Sequence, residues 1–333
     1  MAATIEPLAP DRAKTAATQA TGKQATTSPA GRRQRRPEID PQRTAWLYTT
    51  RAVQADPFAE RLSEAQVRQF QEQGWLAIEG VYSPHEVEIA KTALSDFIQG
   101  RIVPKDGRTH VQEEPVLRRP DGTPAPETEA ERELRVRKVF DFTHHDQRLQ
   151  RLTMQSRLRS MLDQLIGRQS RLIQDMALLK PPRVGSEKPW HQDTAYFDWL
   201  PLGGIAGCWI ALDLATVENG CMQVIPGTHL EGPVAHFHHR DCQIADERVQ
   251  VARAIAIPLA PGGVLFFGGL IHHGTPPNRS ADRRRALQFH YAAAHCRNMT
   301  FEEHAALFNE GGLYAGCRGW GRSDIERARY PTP

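Results

Sequence analysis

Apolar positions recur at helical spacing early in the chain and at strand spacing from about residue 171 onward. Between Ser63 and Gly74 the pattern predicts a helix. Ser63 and Gln66 form an S-x-x-Q capping box, Val67, Phe70 and Gln71 carry the turns, and Gly74 stops them. A short apolar strand follows, Trp75-Leu76-Ala77-Ile78. Ser83 caps a second helix with Pro84 at its first position and Glu86 completing another capping box; Val87, Ala90, Leu94 and Phe97 share one face before Gly100 ends it. Residues 101–134 are polar and rich in Pro and Glu, the pattern of a long irregular excursion or lid. One helix is predicted from Asp146 to about Ile166. Beyond it, short apolar runs at 171–179, 205–212, 222–225, 254–259, 264–267 and 286–293 are separated by Gly and Pro. Their spacing suggests an antiparallel sandwich or barrel.

Composition changes this picture mainly at the N-terminus. A chain of 333 residues has room for a substantial core, and its net charge of +3 points to neither nucleic acid nor membrane. Residues 1–40 are rich in Ala, Thr, Gln and Pro and nearly devoid of large apolar residues, so a disordered tail is expected ahead of a single domain spanning 41–333. Its basic run Arg32-Arg33-Gln34-Arg35-Arg36 reads either as a docking or localisation patch or as plain solvated tail. There is no secretory h-region, and no apolar run approaches the roughly 18 residues needed to span a bilayer. The Ala, Thr and Arg content suits a transit peptide, but Glu6 and Asp11 argue against one. Five cysteines, odd in number and without a CxxC pair, suggest neither a zinc knuckle nor a disulfide framework. The expectation is a cytoplasmic monomer or homodimer acting on a small molecule.

Candidate chemistry centres on Pro189-Trp190-His191-Gln192-Asp193. In an extended strand, residues two apart share a face, so His191 and Asp193 can grip one ion together. An imidazole and a carboxylate are two of the three ligands of the facial triad that leaves positions open on iron(II). His-x-Asp alone arises often by chance. A third ligand is needed from a neighbouring strand, and Leu270-Ile271-His272-His273-Gly274-Thr275 offers two adjacent histidines, of which alternation lets one reach the metal. Arg284 lies further on, in the strand-like run that leads to Tyr291. A buried guanidinium there suits a bidentate grip on a carboxylate. The plainer alternative makes Arg283, Arg284 and Arg285 a solvated charge run, and alternation allows both readings, since one or two of the three face inward.

These residues carry a resemblance. From about Leu62 to Tyr291 the chain resembles the phytanoyl-CoA dioxygenase family of iron(II)- and 2-oxoglutarate-dependent oxygenases. The matching stretches are Met176-Ala177-Leu178-Leu179-Lys180-Pro181-Pro182, Trp190-His191-Gln192-Asp193 and Trp209-Ile210-Ala211-Leu212-Asp213. They continue with Glu218-Asn219-Gly220-Cys221-Met222-Gln223-Val224-Ile225-Pro226-Gly227-Thr228-His229, Pro261-Gly262-Gly263-Val264-Leu265-Phe266-Phe267, and His273-Gly274-Thr275 with Asn278, Arg284 and Tyr291. The resemblance implies a mainly β fold with flanking helices, built on a cupin-like double-stranded β-helix (jelly roll).

The resemblance also implies roles. It assigns His191, Asp193 and His273 to iron, preferring His273 to His272 because the family's distal histidine directly precedes Gly-Ser or Gly-Thr. Arg284 falls where the family binds the far carboxylate of 2-oxoglutarate, with Thr275 assisting. Trp209, Gln192, Met176 and, with a one-residue shift, Lys138 match positions lining the cosubstrate pocket. The implied reaction uses iron(II), O2 and 2-oxoglutarate, with ascorbate as a possible reductant, releases succinate and CO2, and hydroxylates an unactivated carbon. Related halogenases lack the carboxylate that Asp193 supplies, so hydroxylation is favoured over halogenation.

A small free metabolite is the first expectation for the substrate. A CoA or carrier-linked thioester is the second, with Arg118, Arg119, Arg135 and Arg137 as a basic groove. Specificity is expected in 101–134 and in an insertion at 231–253. Readings from other classes are a divalent-metal hydrolase, for which no acid/base residue stands out, and a non-catalytic cupin-like metal-binding protein. His144 and His145 read as surface or capping residues. His236, His238 and His239 read as a second metal site or a solvated loop, and Glu218-Asn219-Gly220 as a tight turn. Pro226-Gly227-Thr228-His229 reads as structural, with the border of the pocket as the alternative for His229, while Trp190 and Tyr196 contact substrate or fill the core.

Overall fold

Both early helices form where their caps place them. In the computed structural model, which describes residues 44–105, 107–117 and 128–308, α1 (Glu64–Gln73) has a complete Ser63/Gln66 capping box and ends on Gly74 at φ 80°. Strand β1 (Trp75–Ile78) follows, and α2 (Pro84–Ile98) has the second complete box, Ser83/Glu86. The expected tail at 1–40 lies outside the described residues.

The stretch expected to be irregular holds a strand, a 3-10 turn (Pro115–Leu117) and a helix among its described residues. Strand β2 (His110–Glu113) pairs antiparallel with β3 (Val136–Phe140), and α3 (Glu129–Arg135) has a Thr128/Glu131 capping box. The His-Val-Gln-Glu of β2 shows no apolar alternation because it is an edge strand with a largely exposed surface. The single helix expected after Asp146 is two, α4 (Gln147–Thr153) and α5 (Ser156–Leu165). The break has a tertiary cause. The Tyr291 hydroxyl donates to the Thr153 carbonyl at 2.7 Å, and the Gln155 side chain caps the new helix by accepting from Leu158 N.

The remaining strands are β4 (Arg171–Lys180), β5 (Lys188–His191), β6 (Trp199–Leu200), β7 (Ile205–Ala211), β8 (Met222–Ile225), β9 (Phe237–His238), β10 (Cys242–Gln243), β11 (Ile255–Ile257), β12 (Val264–Gly268), β13 (His272–Thr275), β14 (Arg284–Ala292) and β15 (Arg297–Asn298), with α6 (Phe301–Phe308) last. A seven-stranded sheet runs β1-β12-β7-β14-β4-β3-β2, and a four-stranded sheet runs β11-β8-β13-β5. All pairings in both are antiparallel. This is a jelly roll.

Alternation divides the large sheet cleanly. Ala177 and Leu179, Cys208 and Ile210, Val264 and Phe266, and Leu287, Phe289 and Tyr291 pack against α2, α4 and α5. Their neighbours Leu178, Trp209, Leu265, Phe267 and Ala286 face Met222, Val224, Ile255 and Ile257 of the small sheet. The functional residues occupy gaps in this second, inter-sheet layer.

Cys208, Cys221 and Cys296 are free and buried, whereas Cys242 is disulfide-bonded. Cysteine spacing did not signal that bond. No helix among the described residues is long and apolar enough to cross a membrane.

Candidate active site

Strands β5 and β13 lie side by side with His191 directly opposite His273. Gly274 permits the approach, since a Cβ there would sit 3.0 Å from the Lys188 carbonyl oxygen. The two imidazole rings are 4.1 Å apart between centroids. His191 Nδ1 bonds the Pro189 carbonyl at 2.8 Å, and His273 Nδ1 bonds the Ile271 carbonyl at 3.0 Å. A carbonyl only accepts, so each proton is on Nδ1 and each Nε2 offers a lone pair. Burial, with His273 and Lys188 nearby, pushes the His191 imidazole down to about 3, so it is neutral.

Asp193 reaches the same point by a route other than a continuous strand. Strand β5 stops at His191, and Asp193 opens a 3-10 turn, Asp193–Tyr196. Gln192 between them is extended (φ −112°, ψ 130°), which preserves the two-residue spacing. Asp193 Oδ1 is 3.3 Å from His191 Nε2 and 3.5 Å from His273 Nε2. Candidate ligand atoms of the three buried residues all lie within 4.8 Å of one another.

With both rings in the neutral form, two imidazole lone pairs and a carboxylate oxygen converge. Such a cluster is repulsive until a cation occupies it, and its two-nitrogen, one-oxygen donor set suits iron(II) with positions left open. His272 faces away from this cluster, and neither of its buried ring nitrogens has a hydrogen-bond partner.

A cavity of about 250 Å³ connects the triad to Arg284. Alternation separates the arginine run. Arg283 pairs with Glu133 at 2.7 Å, Arg285 pairs with Asp213 at 2.8 Å, and Arg284 points into the cavity only 2% exposed. Its guanidinium lies 5.2 Å from the centre of the Trp209 ring and, among the described residues, donates to the Leu178 carbonyl alone, at 3.3 Å. Nε is buried without a partner. Burial pushes its pKa down to about 10, so at neutral pH the cation persists without a carboxylate beside it. An unpaired buried charge is costly, and a dicarboxylate reaching from the triad would supply the missing anion.

Of the other residues matched to the cosubstrate pocket, Met176, Thr275 and Lys138 line this cavity. Trp209 is fully buried against Arg284. Gln192 does not line it. Its amide donates to the Gly232 and Leu270 carbonyls and accepts from Val234 N, anchoring the insertion instead.

Burial, with Lys188 and Arg137 nearby, brings the Lys138 ammonium down to about 7. Lys180, beside Arg284, donates to the Ser186 carbonyl at 2.7 Å and to the Pro276 carbonyl, and burial holds its pKa well below the usual lysine value.

The expectations for the remaining residues divide. His236 is not in a solvated loop. It is 1% exposed and accepts from Gln192 N at 2.8 Å, while His238 and His239 are exposed. His229 turns away from the cavity, its Nε2 bonding the Gln71 carbonyl at 2.9 Å. Trp190 is core, its indole N–H donating to the Leu47 carbonyl. His145 bonds the Thr109 hydroxyl, and His144 is exposed.

Tyr196 lines the cavity and forms a trio with two residues that sequence reasoning missed. Lys188 Nζ donates to the Tyr196 hydroxyl at 2.7 Å and to Asp241 Oδ2 at 2.9 Å. Arg118 and Arg119 lie outside the described residues. Arg135 is occupied by Glu113 at 3.0 Å, and Arg137 donates to the Glu187 carbonyl at 2.8 Å.

The sequence profile of the phytanoyl-CoA dioxygenase (PhyH) family matches residues 70–286. A Bos taurus phytanoyl-CoA dioxygenase domain-containing protein 1 is 26% identical over 264 residues, covering 70% of this chain and 91% of that protein. The peroxisomal phytanoyl-CoA dioxygenase of Homo sapiens is 27% identical over 241 residues, covering 68% and 67%. Among solved structures, EvdO2 from Micromonospora carbonacea var. aurantiaca in complex with 2-oxoglutarate superposes with a TM-score of 0.54 at 24% identity, covering 75% of this chain and 98% of that one. The non-haem alpha-ketoglutarate-dependent carbocyclase SnoK superposes with a TM-score of 0.55 at 21% identity, covering 77% and 95%. With a profile match across most of its length and a donor set and buried cation suited to both cofactors, the chain belongs to the phytanoyl-CoA dioxygenase family and is a 2-oxoglutarate-dependent non-haem iron oxygenase.

Proposed function

We propose that the enzyme hydroxylates an unactivated carbon of a small, polar organic metabolite. In the balanced reaction, substrate C–H, O2 and 2-oxoglutarate give C–OH, succinate and CO2. Arg284 is the observation that carries the cosubstrate half: a buried cation with no acidic partner among the described residues, in the same cavity as the triad. On this reading His191, Asp193 and His273 hold iron, which supplies activation of O2 at the expense of the 2-oxo acid. Arg284 and Thr275 hold the distal carboxylate, and Met176, Leu178 and Met222 exclude water from the space between.

The substrate side is then bounded by Gln112, Phe140 and Gln174 from the large sheet and by the Lys188–Tyr196–Asp241 trio opposite. These groups offer donors and acceptors around one aromatic face, which favours a polar molecule over a bare alkyl chain. Asp241 belongs to the 231–253 insertion, which we assign a part in specificity. The names of the curated relatives favour a second reading, an acyl-CoA thioester. Purified protein with iron(II) and 2-oxoglutarate, offered free metabolites and acyl-CoA esters in parallel, tests both. Substrate-stimulated succinate and a product one oxygen heavier are expected from the first set. Stimulation only by thioesters would reassign the substrate, and no succinate under any condition would overturn the activity.

Lys138 gives a pH-dependent prediction. With its pKa near 7, the ammonium is cationic below that pH and neutral above it. If it faces the dianionic cosubstrate, the apparent constant for 2-oxoglutarate rises from pH 6 to pH 8, on the order of threefold to tenfold. Lys138→Met flattens that rise. Lys188 is shifted up and Asp241 and Asp193 are shifted down, away from this pH window, so an unchanged pH profile in Lys138→Met would show that Lys138 is not the titrating group.

A further inference from the structure

The strand that delivers Arg284 carries two more polar side chains on the same face, Gln288 and His290, each two residues beyond the last inward position. His290 is fully buried, edge-on to Phe197 at 4.9 Å and to Phe267 at 6.0 Å between ring centroids. Its Nε2 lies 2.6 Å from Asp193 Oδ2. A carboxylate only accepts, so Nε2–H donates, and Nδ1 is left buried with no partner.

An orphaned polar atom of this kind costs roughly 1–3 kcal/mol. A leucine or phenylalanine would fill the same aromatic slot without it, so packing alone does not account for a histidine here. The bond to Asp193 does. Gln288 Nε2 adds a longer contact to the same oxygen, at 3.4 Å.

We infer that His290 is a positioning residue for the metal centre: by holding Asp193 Oδ2 it keeps Oδ1 as the single oxygen offered to the ion. Oδ1 is the oxygen that faces both histidine Nε2 atoms, at 3.3 and 3.5 Å. A carboxylate released from His290 is free to rotate, which weakens its hold on the ion and, where both oxygens turn inward, takes a coordination position that the cosubstrate and O2 need. The inference rests on the reading of His191, Asp193 and His273 as an iron site, and it assigns His290 no contact with substrate.

The test separates hydrogen bonding from packing and from turnover. Full-length metal-free wild type, His290→Leu and His290→Gln are titrated with iron(II) without oxygen, then with 2-oxoglutarate, following the visible absorption that chelation of the 2-oxo acid produces. Melting temperature is recorded for each. Glutamine carries an amide N–H near the position of His290 Nε2, and leucine carries none. The expected result is an iron affinity reduced tenfold to a hundredfold in His290→Leu, with a weakened chelation band. His290→Gln recovers most of both, and melting temperature does not follow that order.

Wild-type affinity in His290→Leu overturns the inference, and so does equal impairment of the two variants. Should His290→Leu not fold, His290→Asn takes its place, because its shorter amide falls short of Oδ2. Equal iron binding by His290→Gln and His290→Asn then overturns it. Wild-type protein that binds no iron overturns the reading of the triad itself, a result distinct from any difference among the variants.

Discussion

Replacing His191, Asp193 or His273 by alanine is expected to abolish iron-dependent conversion of 2-oxoglutarate, while His272→Ala keeps most of it. Each of the three removes one of the three donor atoms that, among the described residues, converge in the cavity. Two remaining ligands hold a divalent ion far more weakly, and in Asp193→Ala the only anion of the set is gone. His272 is adjacent in sequence to His273 but on the other face of β13, with both ring nitrogens unpartnered. Its loss empties a buried site, so the expected cost falls on stability. Succinate production and bound iron, measured for all four variants, decide the matter. An inactive His272→Ala beside an active His273→Ala would mean that the wrong histidine has been assigned to the metal.

The second large effect separates cosubstrate from metal. Arg284→Leu should raise the apparent constant for 2-oxoglutarate by more than about tenfold while bound iron stays near the wild-type level. Losing one partner of a buried charge-assisted pair costs on the order of 2–5 kcal/mol, and about 1.4 kcal/mol already corresponds to a factor of ten. Arg283→Leu and Arg285→Leu are the controls. Their guanidinium groups are held by Glu133 and Asp213, away from the cavity, so each should change the constant little and lower stability by roughly 1 kcal/mol. Equal effects on 2-oxoglutarate from all three variants would leave the buried cation without a role in the cosubstrate site.

Local chemistry made much of this protein legible. Capping boxes at Ser63/Gln66 and Ser83/Glu86 need only residues three apart, so both helix starts can be read directly from the chain; the Thr128/Glu131 box is equally local, but the prolines and charges around it predict an irregular segment. The helix broken at Met154 was not legible, because the hydroxyl that takes the Thr153 carbonyl belongs to Tyr291, 138 residues away. Strand β2 was missed because an exposed edge strand need not alternate.

The site divides along the same line. By itself, the sequence determined a pattern of short antiparallel strands, the His-x-Asp pair, and the period-two alternation that sets Arg284 on the face opposite Arg283 and Arg285. Residues close in sequence share a face through backbone geometry alone, so no tertiary information is needed for these. His290 and Gln288 obey the same rule, and their polarity at inward positions of an otherwise apolar strand was the signal that would have found them.

The tertiary structure decided which of His272 and His273 faces Asp193, that Gln192 bonds the insertion and does not line the cavity, and that Asp241 reaches back to Lys188. These outcomes depend on strand register and on where an insertion folds back. Both are set by the mutual packing of two sheets, an interaction between residues tens of positions apart that no local spacing encodes.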